Sequence, residues 1–94
     1  MIDFHSRPRL APKVRLRFDS ASNQFLLLRP ERAMALDATA TDIVRLCTGE
    51  RTVEGIIAEL CNKYKGKRRT AMEQEVLGFL ALLRARALVL SGTP

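Results

Sequence analysis

Polar and apolar residues alternate without a break through Lys13-Val14-Arg15-Leu16-Arg17-Phe18. That is the two-residue period of a half-buried strand, with Val14, Leu16 and Phe18 on one face. Asp19 to Asn23 is turn chemistry, and Gln24-Phe25-Leu26-Leu27-Leu28-Arg29 reads as a second strand closing a hairpin. Pro30 ends it, and Ala33-Met34-Ala35-Leu36 reads as a short third strand. The period then changes. Ala40, Ile43, Val44 and Cys47 recur at three-and-four spacing, as on one face of a helix that Asp37 or Thr39 caps and Gly49 closes. Thr52 opens a second helix, whose Val53, Ile56, Ile57, Leu60, Cys61 and Tyr64 make an apolar stripe about 140° wide. A basic loop around Gly66 follows. Thr70 is placed to cap a third helix, with Glu73 at the capping-box position. Leu88-Val89-Leu90 reads as a brief closing strand.

Three strands followed by three helices predict an α+β, winged-helix-like domain, in which a small antiparallel β-sheet of 2–3 strands packs on a three-helix bundle. A ribbon that small needs a helix against its apolar face. Residues 1–12, with Pro8 and Pro12, read as an extended, poorly ordered N-terminal arm. The domain proper is expected over 13–90, with a tail at 91–94. At 94 residues the chain makes one domain, which buries about 60–65% of the surface it exposes when unfolded.

The third helix is apolar over more of its circumference than one core requires. Met72, Val76, Phe79, Leu80, Leu83 and Ala87 form one stripe, while Leu77 and Leu82 lie off it on either side. Ordinary two-sided burial or dimerisation accounts for this pattern, and so does a groove that receives an apolar partner segment. If the short third strand lies at the sheet edge, its main-chain N–H and C=O groups form a template for an added strand. An edge covered by a loop, the arm or a second copy is the competing possibility.

Composition narrows the chemistry. The one histidine, His5, sits in the arm, where nothing positions it as a base. Cys47 and Cys61 fall inside apolar stripes with no CxxC, which suits reduced core thiols better than metal ligands. No GxGxxG or GxxxxGK[ST] is present. The expectation is a binding module rather than an enzyme, with no catalytic residue, metal or cofactor. The opening residues carry no signal-peptide pattern and no run spans a membrane, so a cytoplasmic protein is expected. The net charge of +6 suits an anionic partner. A winged-helix nucleic-acid binder is therefore one reading. Against it, the third helix begins Met72-Glu73-Gln74-Glu75, which repels phosphate where a recognition helix needs cations.

An ordered series of residues carries a family likeness from about Arg7 to Val89. It opens with Arg7-Pro8-Arg9-Leu10-Ala11-Pro12 and Val14 to Arg17, and continues through Leu27-Leu28-Arg29-Pro30-Glu31. Leu36-Asp37, Ala40, Ile43, Leu46-Cys47, Gly49, Arg51-Thr52-Val53 and Ile56 follow, then Glu75-Val76, Phe79-Leu80 and Leu83. In this series the chain resembles the PqqD family of pyrroloquinoline quinone (PQQ) biosynthesis. It departs from the family pattern at Thr48 and Glu75, where Asp is usual, at Ala87, where Gly is common, and at Phe25, where Trp is frequent.

The resemblance implies a peptide chaperone that binds the ribosomal precursor peptide PqqA and presents it to the radical SAM enzyme PqqE. In such domains the peptide lies along the third strand and against the third helix. That assigns Ala33, Met34, Ala35 and Leu36 to strand pairing, and Met72, Val76, Leu77, Phe79, Leu80 and Leu83 to the groove wall. Arg29, Arg32, Lys65, Lys67, Arg68 and Arg69 are candidates for the enzyme contact. Nucleic acid and membrane are not expected partners, and the chain is expected as a monomer or homodimer. The open alternatives are the small nucleic-acid-binding domain and the same module in another modified-peptide pathway.

Overall fold

The alternating run folds as a strand from Arg15 onward, while Lys13, expected within it, lies in a turn with φ +71°. In the computed structural model, which describes residues 2–91, β2 (Arg15–Asp19), β3 (Gln24–Arg29) and β4 (Arg32–Leu36) form an antiparallel sheet in the order β2-β3-β4. Leu16, Leu27 and Met34 stand in register on one face, as do Phe18, Phe25 and Leu36. This face meets the helices: Leu27 and Leu36 are buried, and Leu16 and Met34 pack against the core. Phe18, expected on the buried face, is 48% exposed at the end of the sheet, where it meets Phe25 edge-on with centroids 5.1 Å apart. Three helices follow, α1 (Ala38–Leu46), α2 (Val53–Lys63) and α3 (Arg69–Ala85). The closing strand β5 (Val89–Leu90) does not join the three-stranded sheet. It pairs with β1 (Arg9–Leu10) in a separate two-stranded sheet. The architecture is three helices with small antiparallel sheets, in keeping with the α+β reading.

The helix ends show which local signals act. Asp37 caps α1 by accepting from the Ala40 N–H at 2.8 Å, and Thr52 caps α2 by accepting from Gly55 at 3.1 Å. Two expected caps move. The C-cap of α1 is Cys47, not Gly49, which lies two residues beyond with φ +85°. The third helix starts at Arg69 and its N-cap is Arg68, with no side-chain cap. Thr70 is already inside the helix, and Glu73 pairs with Arg69 one turn before it at 3.1 Å instead of closing a capping box. At the other end of α3, Leu88 N–H donates to Leu83 O and Ala87 N–H donates to Arg84 O. These are the two bonds of a Schellman motif. Its left-handed position is Ala87, with φ +59°, the place where glycine is favoured.

The N-terminal segment is ordered against the domain rather than loose. Helix starts leave their first N–H groups without intrahelical partners. Here the carbonyls of Ser6 and Phe4 accept from Val53 and Glu54, the first two residues of α2, at 2.9 and 3.1 Å. Pro8 O accepts from Gly49, Leu10 N–H donates to Cys47 O, and Ala11 N–H donates to Leu88 O. Ser6 and Pro8 are buried. The segment thus joins the end of α1, the start of α2 and the end of α3. Of the expected tail, residues 92–94 lie outside the described residues.

The core holds Ile43 and Val44 of α1, Val53, Ile56, Ile57 and Leu60 of α2, and Met72, Val76, Leu80 and Leu83 of α3. A polar clasp beside it joins α1 to the end of α2. Tyr64 Oη and Lys63 Nζ both donate to the Asp42 carboxylate. Partial burial pushes the Asp42 carboxyl up, but the hydrogen bonds from Tyr64 and Lys63 together outweigh it and hold the group below its ordinary value.

Two stability measurements check these assignments. Ala87→Gly relieves a left-handed alanine and is expected to raise unfolding stability by about 1 kcal/mol in urea titration. A loss of stability contradicts the Schellman assignment. Asp42→Asn is expected to cost about 1 kcal/mol at pH 7, since charge-assisted bonds to a partly exposed group are discounted by solvent. Because the folded pKa of Asp42 is depressed, its contribution is complete above the ordinary value of 3.8 and disappears as pH falls through the folded value. The gap between wild type and variant should therefore close below about pH 4. A gap that persists in acid assigns the loss to packing.

Candidate functional site

The two edges of the three-stranded sheet differ. The β2 edge alternates Arg15, Arg17 and Asp19 with its apolar residues, and charged side chains blunt an edge against further pairing. The β4 edge reads Arg32-Ala33-Met34-Ala35-Leu36, with no Lys or Pro. Among the described residues it pairs with β3 alone. In an antiparallel ladder alternate residues turn their N–H and C=O away from the paired strand, so β4 presents main-chain donors and acceptors outward. Ala33 and Ala35 face away from the core, and methyl side chains shield little backbone.

Beside this edge runs a cleft of about 360 Å³. One wall is Met34, Ala35, Leu36 and Asp37, the other is Glu75, Phe79 and Leu82 of α3, and Ala40 and Ile43 of α1 close one end. Positions 75, 79 and 82 share one flank of the helix by their i, i+4, i+7 spacing. Leu82 is 41% exposed and is the most open large apolar side chain in the cleft. Past Met34 the trough opens into a second cavity of about 850 Å³ between the β3–β4 turn and the end of α3. Met34 lines both.

The structure divides the residues expected at the groove. Ala33, Met34, Ala35 and Leu36 line the trough. Among the helix residues, only Phe79 does. Met72, Val76, Leu80 and Leu83 are fully buried and belong to the core, because their spacing puts them on the central stripe that α3 packs inward. Leu77 is half-buried and packs on the core from the opposite flank, about 140° around the helix from Leu82. Leu82, Glu75, Ala40 and Ile43 were not among the expected groove residues. The position of Leu82 off the stripe was the signal for it. For the α1 residues only the tertiary arrangement brings them in.

The candidate enzyme-contact residues also divide. Arg29 is committed within the fold, since its guanidinium donates to Arg86 O and Ala87 O at 3.0 and 3.4 Å and so satisfies the end of α3. Lys67 pairs with Glu75, and Arg69 pairs with Glu54 and Glu73. Among the described residues, the side chains of Arg32, Lys65 and Arg68 make no hydrogen bond or ion pair.

The trough is lined by the β4 edge and mainly apolar side chains, which offer a contact surface. Cys47 donates its thiol to Ile43 O, and burial pushes the thiol pKa up to about 12, far from a reactive thiolate. The described residues contain no group of three or more His, Cys, Asp or Glu side chains that could hold a metal ion. Among them, no helix is long and apolar enough to cross a membrane.

Comparison with known proteins identifies relatives of the chain and of its fold. Residues 24–89 match the family described as Coenzyme PQQ synthesis protein D (PqqD). A "PqqA binding protein" of Rhodopseudomonas palustris is 39% identical over 90 residues, covering 87% of this chain and 88% of the relative. The solution structure of the PqqD portion of Methylobacterium extorquens PqqCD superposes with a TM-score of 0.81 at 33% identity, covering 96% of this chain and 95% of that one. That protein is described as a functional, stand-alone recognition element for ribosomally synthesised and post-translationally modified peptides. The crystal structure of PqqD from Xanthomonas campestris gives 0.55 at 29% identity, covering 94% of this chain and 98% of that one.

Core and cleft residues of α3 should separate by mutation. Leu80→Ala is expected to cost about 2–5 kcal/mol through the cavity it leaves. Leu82→Asp should cost only about 1 kcal/mol, from the poorer helix propensity of Asp and its charge in the last turn of the helix. Urea unfolding of the two variants reads this directly, and a Leu82→Asp loss as large as that of Leu80→Ala contradicts the assignment of Leu82 to an open cleft.

Proposed function

The chain belongs to the PqqD family, and on that premise we propose that it is a non-catalytic recognition module that binds the precursor peptide PqqA in PQQ biosynthesis. The observation that carries this reading is the open β4 edge, with Ala33 and Ala35 facing outward, running beside the apolar flank of α3 formed by Phe79 and Leu82. The bound segment adds as a fourth strand along β4. Main-chain hydrogen bonds to the β4 edge supply affinity, and alternate side chains enter the cleft and supply specificity. Relatives that carry the name PqqA binding protein support the choice of peptide.

Presentation to the radical SAM enzyme PqqE is the second half of the proposal. Holding the peptide on a module that also docks on the enzyme raises the local peptide concentration at the enzyme. No group of the module need touch the reacting atoms, and the gain is one of proximity and orientation. Of the cations first considered for the enzyme contact, Lys65 and Arg68 do not line the trough, make no ion pair among the described residues and suit an acidic partner surface. A cytoplasmic location follows from the same reading, since a ribosomal precursor is made there.

Calorimetric titration with the PqqA precursor and with random duplex DNA, each at two salt concentrations, tests the reading. Peptide binding should be saturable, survive the higher salt and carry a negative heat-capacity change from apolar burial. Tight DNA binding that collapses as salt rises, with no peptide signal, replaces it with a phosphate-gripping surface on Lys13, Arg15 and Arg17.

A further inference from the structure

The larger cavity of the trough differs in character from the cleft it adjoins. Its floor is apolar, made of Leu27, Met34 and Leu88, and its rim carries three guanidinium groups, Arg29, Arg32 and Arg86. Among the described residues, no carboxylate lines it. The nearest acid in sequence, Glu31, sits at the β3–β4 turn and is not part of the lining. Arg29 is occupied with the carbonyls at the end of α3. Its charge offsets the negative end of that helix, which would otherwise repel an anion here. Among the described residues, the side chains of Arg32 and Arg86 make no hydrogen bond or ion pair.

We propose that this cavity is a carboxylate-reading subsite, which takes an Asp or Glu side chain of the segment bound along β4. The inference rests on strand addition at β4 and adds the side-chain chemistry of what is added. Arg32, Met34 and Leu36 lie on one face of β4, two residues apart. Side chains of an added strand alternate with the same period, about 6.6 Å between neighbours on one face. The recognised segment therefore carries two apolar side chains and a carboxylate at alternate positions: the apolar pair over Leu36 and Met34, the carboxylate beyond them at Arg32 and Arg86. A carboxylate moved by one position turns to the opposite face and contributes nothing. A guanidinium grips a carboxylate by paired, charge-assisted hydrogen bonds, which fix register as well as affinity. Apolar clefts alone fix register weakly, so the charged end is what keeps the peptide from sliding by two residues.

The test uses the full chain, the PqqA precursor, and a precursor in which every Asp and Glu is replaced by Asn and Gln. The proteins are wild type, the double variant Arg32→Gln/Arg86→Gln, and Leu82→Asp. Arg29 is left in place because it holds the end of α3. Thermal unfolding verifies that the arginine variant keeps its fold. The double variant is expected to bind the precursor roughly 10-fold more weakly, a loss typical of truncating charge-assisted contacts. The amide peptide should bind wild type with a similar loss and show no further loss with the double variant, the mark of direct coupling. Equal precursor affinity for wild type and double variant overturns the subsite. So does an equal loss for both peptides, which assigns the arginines a role other than reading carboxylates. In those cases weaker binding by Leu82→Asp shows that strand addition beside α3 still stands. Unchanged binding by all variants, or no binding by wild type, overturns both.

Discussion

A helix that buries one stripe completely fixes what its two flanks face, and here α3 sets that constraint. Met72, Val76, Leu80 and Leu83 have no exposed surface, so α3 can neither roll nor translate without opening cavities among close-packed aliphatic side chains. With the stripe anchored, Phe79 and Leu82 must lie toward β4 and Leu77 toward the other side. The trough is the space left between a helix held by its core face and a strand that stops the sheet at three.

The remaining parts of the fold hold that space open. Arg29 ties the end of β3 to the last carbonyls of α3, and the Schellman turn at Ala87 sends the chain back into β5. The N-terminal segment then pairs with β5 through β1 and supplies carbonyls to the first N–H groups of α2. Each junction satisfies main-chain groups that a helix end leaves unpaired. Among the described residues, β4 turns main-chain groups outward along a strand whose one charged side chain, Arg32, stands at its start. A module that works by pairing with another chain needs such an edge.

Much of this was legible in the sequence. The alternation over 13–18 and the run over 24–29 gave the hairpin, and the three-and-four spacings gave three helices. Of the two cap candidates for α1, Asp37 and Thr39, Asp37 caps, and Thr52 caps α2 as expected. The edge strand was marked from four residues. What the sequence did not carry is rotation and partnership. Periodicity showed that Leu77 and Leu82 lie off the stripe on opposite sides, but it could not say which flank meets the sheet. Most of the helix residues assigned to the groove are core for that reason. Prolines make residues 1–12 read as loose, whereas main-chain hydrogen bonding to helix ends, which no side-chain pattern reports, orders residues 4–11. In the same way, a run of cations over 63–69 looked like one surface, and ion pairs with Glu54, Glu73 and Glu75 divide it.

The central claim is that a peptide adds to the β4 edge beside α3. Residue-resolved amide hydrogen exchange, with and without the PqqA precursor, tests it most directly. Strand addition predicts slowed exchange at alternate amides within Arg32–Leu36, with no change along the blunted Arg15–Asp19 edge. Protection that falls on Arg15–Asp19 or on the 63–69 loop, with none on Arg32–Leu36, contradicts the account.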